Sequence, residues 1–204
     1  MSISRFQVRK RAARIAVEEF LRAPAKVGSA FPATSRMVAT VLAPLKWSEI
    51  DLLVEYGPGT GHFTSAALAR MRPDARLIGI EPGTKFVDHL RTSISDRRLR
   101  VVQGSAENVA HILSDQGARA ADCIVSGLPF STLDAYLAEE IMNASASVLG
   151  THGMFAAYQM RNRLKPLLKR YFSSLHSGYE WWNVPPCHLY WATNPRGVVS
   201  RGKS

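Results

Sequence analysis

The chain has 204 residues, enough for one domain with a sizeable core. Apolar residues make up 46% and charged residues 21%, which excludes a disordered tail and a membrane bundle. The 26 Lys and Arg outnumber the 16 Asp and Glu, leaving a net charge of +10. Such an excess is either a basic solvated surface or the mark of an anionic partner, nucleic acid or membrane.

Residues 3–22 read as a basic helix. On a helical wheel Phe6, Ala13, Val17 and Phe20 share one side, opposite Lys10, Arg11, Arg14 and Glu18, while Arg9 interrupts the apolar face. A secretory signal is excluded, because Glu18 and Glu19 stand where its apolar stretch belongs. Pro24 and the segment Gly28–Pro32 break the helix, and Thr34 or Ser35 caps a second one running towards Leu45. No window approaches the roughly 18 consecutive apolar residues of a spanning helix.

From Asp51 the pattern changes. Apolar runs at Asp51–Tyr56, Arg76–Ile80, Leu99–Val102, Asp122–Ser126 and Met154–Tyr158 alternate with helical segments at 62–71, 84–95, 106–114 and 132–149. Strands alternating with helices predict an α/β domain with a parallel sheet covered on both faces. Residues 161–172 then read as a helix. Segments 176–184 and 187–193 read as strands joined by Pro185-Pro186, an antiparallel pair closing the sheet. The whole chain, 1–204, is expected to be one domain, with a helical N-terminal segment at 1–46 and a core at 47–204. Cys123 and Cys187 form neither a disulfide framework nor a metal spacing, and the six scattered histidines add no ligand pair. A reducing, cytoplasmic compartment and no metal follow as expectations.

The first strand runs into Glu55-Tyr56-Gly57-Pro58-Gly59-Thr60-Gly61-His62. Ligands of α/β sheets bind beyond the carboxyl ends of the strands, and glycines there let the backbone approach closely. The third glycine comes one residue too early for the dinucleotide fingerprint, and no Gly-Lys-Ser/Thr of a phosphate loop follows. Glu55 suits an ammonium group better than a pyrophosphate. The second strand ends in Glu81-Pro82, about 20 residues past Gly61, where a βαβ unit sets a carboxylate on ribose hydroxyls. A ligand with ribose, an ammonium group and no phosphate is S-adenosylmethionine.

With these motifs the chain resembles the class I methyltransferases over about residues 50–160. The resemblance implies a Rossmann-like fold: a mostly parallel seven-stranded sheet, helices on both faces, an antiparallel C-terminal hairpin and added N-terminal helices. It also implies S-adenosylmethionine as cofactor and S-adenosylhomocysteine as product, held by Glu55, Tyr56, Gly57, Gly59, Gly61, Glu81, Pro82, Ser105, Ala106 and Ser126. Ser105 stands where the family commonly has an Asp on the adenine, so that contact falls to the Ser105 hydroxyl, the Ala106 amide or Glu107.

The fourth strand ends in Ser126-Gly127-Leu128-Pro129-Phe130. Adenine-N6 methyltransferases carry an Asn or Asp at the first of these positions to hold the planar amino group. Ser126 removes that group, which points to a flexible alkyl amine. Ser126-Gly127-Leu128-Pro129, the segments Phe20–Ser29 and Phe31–Arg36, and Asn183–Tyr190 together resemble the soluble bacterial phospholipid N-methyltransferases, relatives of the rRNA adenine dimethyltransferases. That likeness implies methyl transfer to phosphatidylethanolamine, towards phosphatidylcholine, with Ser126, Gly127, Leu128, Phe130 and Tyr158 at the reacting centre. Phe130, Tyr158, Tyr179, Trp181 and Trp182 are the aromatic candidates for a methylated-ammonium pocket.

A lipid substrate requires docking at a surface. Segment 1–46 is expected to dock and to act as a lid, with Arg5, Arg9, Lys10, Arg11 and Arg14 on anionic lipid and Phe31, Ser35, Arg36 and Trp182 near the headgroup. The expected site of action is the inner face of the cell membrane, with no obligate protein partner. The alternatives are an rRNA adenine-N6 methyltransferase, which uses the same charge on phosphates, and a non-catalytic basic module that binds lipid or RNA.

Overall fold

The computed structural model describes residues 33–183 and 185–196. The basic helix expected over 3–22, with Arg5, Arg9, Lys10, Arg11 and Arg14, and also Phe31, lies outside the described residues. In chain order the elements are α1 (Ser35–Leu42), β1 (Leu52–Tyr56), α2 (His62–Leu68), β2 (Arg76–Glu81), α3 (Thr84–Ser93), β3 (Leu99–Gln103) and α4 (Val109–Asp115). They continue with β4 (Ala121–Ser126), α5 (Ala135–Val148), β5 (Leu149–Gln159), α6 (Leu164–Tyr171), β6 (Phe172–Glu180) and β7 (Cys187–Pro195). The seven strands form one sheet in the order β3-β2-β1-β4-β5-β7-β6. β1 to β5 run parallel, and β7 is antiparallel to both β5 and β6. This is the α/β sheet that the alternating pattern predicted.

Alternation along the strands sorts side chains onto two faces. Leu52, Val54 and Tyr56 of β1 join a core under α4, α5 and α6. Leu53 and its neighbours of the same phase join a second core under α1 and α2, with Phe63, Ala67 and Leu68. The Thr34 hydroxyl caps α1 by accepting from the Met37 N–H at 3.2 Å. The Asp134 carboxylate starts α5 in the same manner, accepting from the Tyr136 N–H at 2.9 Å.

Several boundaries differ from expectation; β5, for one, starts at Leu149 rather than Met154. Segment 106–114 is a short 3-10 turn at Ala106–Asn108 followed by α4. β6 starts at Phe172 and stops at Glu180, rather than covering 176–184. The buried Phe172 ring belongs to the sheet core, so pairing begins directly after α6. At the other end the Glu180 carboxylate accepts from the Trp182 N–H at 3.1 Å, which turns the chain out of the ladder.

Gly61 precedes α2 with φ +83°, a left-handed conformation costly for other residues. A Cβ built there lies 2.8 Å from Ile94 Cδ1 and 2.9 Å from Leu90 Cδ2. Strain and overpacking therefore act together at this position. Gly61→Ala is expected to lower unfolding free energy by about 2 kcal/mol or more, measured as a shift of the urea midpoint at constant slope.

Candidate active site

The loops after β1, β3 and β4 meet at the carboxyl edge of the sheet. Three backbone bonds draw them together: Gly57 N–H to the Ile80 carbonyl at 3.0 Å, Gly127 N–H to the Tyr56 carbonyl at 3.0 Å, and Gly104 N–H to the Glu81 carbonyl at 3.2 Å. Gly57 and Gly59 have φ values of +65° and +55°, so the loop turns through the left-handed region and brings its amides forward.

Glu81 closes β2 with no exposed surface. Its two oxygens accept from the Gly59 N–H at 3.1 Å and the Gly83 N–H at 2.9 Å. Burial raises its pKa, and the two amides act against that rise. Glu55 points to the α2 face, as Leu53 does, and is 4% exposed. The Thr64 hydroxyl donates to it at 2.7 Å. Burial pushes the Glu55 carboxyl up to about 7; the Thr64 bond opposes this, and the charge of Glu81 adds to it. Among the described residues no basic side chain contributes to either shift. Two buried carboxylates are costly, and a bound ammonium or sulfonium would offset that cost.

Beside them lies an apolar recess lined by Ile80, Pro82, Ser105, Ala106, Leu128, Leu133 and Ile141. The Ser105 hydroxyl donates to the Glu107 carboxylate. Its own oxygen thereby becomes a polarised acceptor at the edge of an otherwise apolar slot. This donor set fits S-adenosylmethionine: a flat slot for a base, a carboxylate at the ribose position and a second for the ammonium.

Ser126 is buried, and its hydroxyl oxygen accepts from the Leu128 N–H at 3.3 Å. The Gln159 amide donates to the Leu128 carbonyl at 2.6 Å. The Tyr158 ring stacks on Phe63 with centroids 4.9 Å apart and planes 8° from parallel. A Cβ built on Gly127 would lie 2.8 Å from the Tyr158 hydroxyl and 3.4 Å from the Gly57 carbonyl. Gly127 is thus the point where the β1 loop, the β4 loop and Tyr158 converge. Burial and then the charge of Glu55 push the Tyr158 phenol far up, so it stays neutral.

Four expected residues stand differently. The Tyr56 side chain enters the core, where its hydroxyl pairs with Ser145 at 3.1 Å, and only its carbonyl serves the loop. Strand alternation forces this, since Tyr56 and Glu55 lie on opposite faces. Phe130 is 6% exposed and packs edge-on against Phe155 at 6.4 Å, so it is core rather than pocket wall. Its ring loses more by facing an open cleft than by packing on another ring. Trp181 and Trp182 stand in solvent at the β6–β7 tip and do not line the apolar recess. Ser35 and Arg36, by contrast, begin α1 beside that tip. Two members escaped the sequence reading. Thr64 lies in α2 without any signal. Gln159 could have been noticed as a polar residue ending an apolar strand.

No family model matches the chain. A curated relative, the ornithine lipid N-methyltransferase of Singulisphaera acidiphila, is 28% identical over 182 residues, covering 88% of this chain and 93% of the relative. Among solved structures, the N-methyltransferase NodS of Bradyrhizobium japonicum, in complex with S-adenosyl-L-homocysteine, superposes with TM-score 0.65 at 14% identity, over 90% of this chain and 99% of that one. The precorrin-6y C5,15-methyltransferase of Geobacter metallireducens gives 0.61 at 14% identity, over 80% and 93%. The chain thus has the class I methyltransferase fold, and the curated relative it matches over most of its length is an S-adenosylmethionine-dependent lipid N-methyltransferase.

Proposed function

We propose that the chain methylates the amine of a lipid headgroup, phosphatidylethanolamine towards phosphatidylcholine, at an anionic membrane surface. The observation that carries this is Ser126. At the end of β4, where a base-reading enzyme needs an amide or acid, the Ser126 side chain is buried and engaged by the Leu128 amide. What remains at that edge is backbone carbonyl and the Tyr158 hydroxyl, a setting suited to a flexible amine. The name of the curated relative supports a lipid amine and adds ornithine lipid as a second acceptor of the same class.

In this reading Glu81 holds the ribose hydroxyls and Glu55 the ammonium of the cofactor. Ser105 Oγ, polarised by Glu107, accepts from the adenine amine, and Pro82 and Ala106 bound the slot. Bound S-adenosylmethionine supplies an electrophilic methyl group on a sulfonium. The chain's part is to position a neutral amine in line with it, over Gly127, with the Tyr158 hydroxyl as hydrogen-bond partner. The stacked Tyr158 and Phe63 rings offer π faces to the methylated cation. The chain works as a single domain at the inner face of the cell membrane. Among the described residues no helix is long and apolar enough to cross a membrane, so contact with lipid falls to surface elements.

Labelled S-adenosylmethionine should give methylated lipid in anionic vesicles carrying phosphatidylethanolamine or, in a separate arm, an ornithine lipid. Label in neither lipid overturns the reading, and label in rRNA would install the nucleic-acid alternative. Glu55 offers a second test. Its carboxyl must be ionised to meet an ammonium, and its pKa lies near 7 in the free chain. Cofactor affinity, followed by calorimetry, should fall about tenfold from pH 7 to pH 5.5. In Glu55→Gln it should be weaker and flat over that range. Equal slopes in both proteins would remove Glu55 from the cofactor.

A further inference from the structure

Among the described residues, the large apolar side chains that stand exposed are Tyr179, Trp181 and Trp182, at 38%, 73% and 74%. All three belong to one place, the end of β6 and its turn into β7. Tryptophan is among the side chains most costly to leave in water, so two adjacent ones at this exposure mark a contact surface.

Register shows where that surface lies. β7 pairs with β5 so that Leu189 faces Tyr158 and His188 faces Gln159, while Glu180 faces Cys187 across the hairpin. The turn therefore rises from the carboxyl edge of the parallel strands, the edge that carries the glycine loop and Ser126–Phe130.

The tip is built to hold its rings out. Glu180, itself 5% exposed, accepts from the Trp182 N–H at 3.1 Å and from the Thr40 hydroxyl at 3.1 Å, and pairs with Arg36 Nε at 3.4 Å. The Asn183 side chain accepts from the Thr34 N–H at 3.2 Å and donates to the Pro185 carbonyl at 2.9 Å. Trp191 donates to the Val41 carbonyl at 2.9 Å, a further tie between the hairpin and α1. The Arg36 guanidinium carbon lies 5.9 Å from the Trp182 ring centroid, and its side chain is 67% exposed. Two indoles, a phenol and a guanidinium on a braced turn match the chemistry of a bilayer interface. Amphipathic rings settle there at headgroup depth, and Arg meets lipid phosphate.

We propose that Trp181 and Trp182 are an insertion tip that enters the interface of an anionic phospholipid bilayer and turns the carboxyl edge of the sheet towards the headgroups. This rests on the lipid reading above. The tip acts beside whatever residues 1–32 contribute, and it reports on a different part of the chain.

The test uses the full chain and vesicles of phosphatidylcholine and phosphatidylglycerol, which hold no amine acceptor. Docking is thus read without methyl transfer. Tryptophan emission of the unaltered protein should shift to the blue and be quenched by lipids brominated on the acyl chains. Trp181→Ser/Trp182→Ser should lose the quenching, and its vesicle partitioning should fall about tenfold or more. Its calorimetric S-adenosylmethionine affinity and its rate on a monomeric short-chain phosphatidylethanolamine should stay within about twofold. Unquenched emission from the unaltered protein overturns the proposal without needing any variant. So do equal partitioning of the two proteins, a loss of cofactor affinity in the variant, or rRNA binding that depends on the indoles while vesicle binding does not. If quenching and partitioning behave as stated but no lipid amine is methylated, docking stands and the substrate reading fails.

Discussion

The candidate site depends on the sheet ladder running one residue beyond its strands. Gly57, Gly104 and Gly127 each donate a backbone N–H to the neighbouring strand's end, so three loops are registered against one another before any side chain acts. Right-handed crossovers return every parallel strand to the same start, which sends all these loops out at one edge. The left-handed turns at Gly57 and Gly59 keep the first loop low enough for Glu81 to hold it through the Gly59 amide. Gly127 then has little space to spare, because Tyr158 and the Gly57 carbonyl close on it from two sides.

Charge is segregated around that edge. The chain as a whole carries +10, yet the glycine loop is flanked by two buried carboxylates, and among the described residues no basic side chain shifts either one. Against the net positive charge of the chain, this acidic pair suits a cationic ligand at the glycine loop. Burial sets the force of the interior pair, since removal from water raises the cost of each charge until a cation arrives.

The C-terminal hairpin links these two regions. It pairs with β5 on one side and is fastened to α1 through Glu180, Asn183 and Trp191. The helix that precedes the core and the strands that end it therefore share a corner above the carboxyl edge.

Much of the fold was legible from the chain alone. Alternating apolar runs and helical periods predict five parallel strands and a final antiparallel pair, and the period of two places Glu55 and Tyr56 on opposite faces. The glycine spacing and the acids at two strand ends locate the site, because short-range backbone geometry demands those residue types. The roles of particular side chains were decided only by tertiary structure. Phe130 sits in a motif that suggests a pocket, but Phe155 supplies a packing partner. Ser105 leaves its contact open until Glu107 is seen to take its proton donor. Trp182 is expected near the headgroup from sequence, but only the sheet register sets it above the carboxyl edge, with its ring exposed. Sequence determines which groups stand on which face of each element. Only packing decides which of them find a partner, because those partners come from distant parts of the chain.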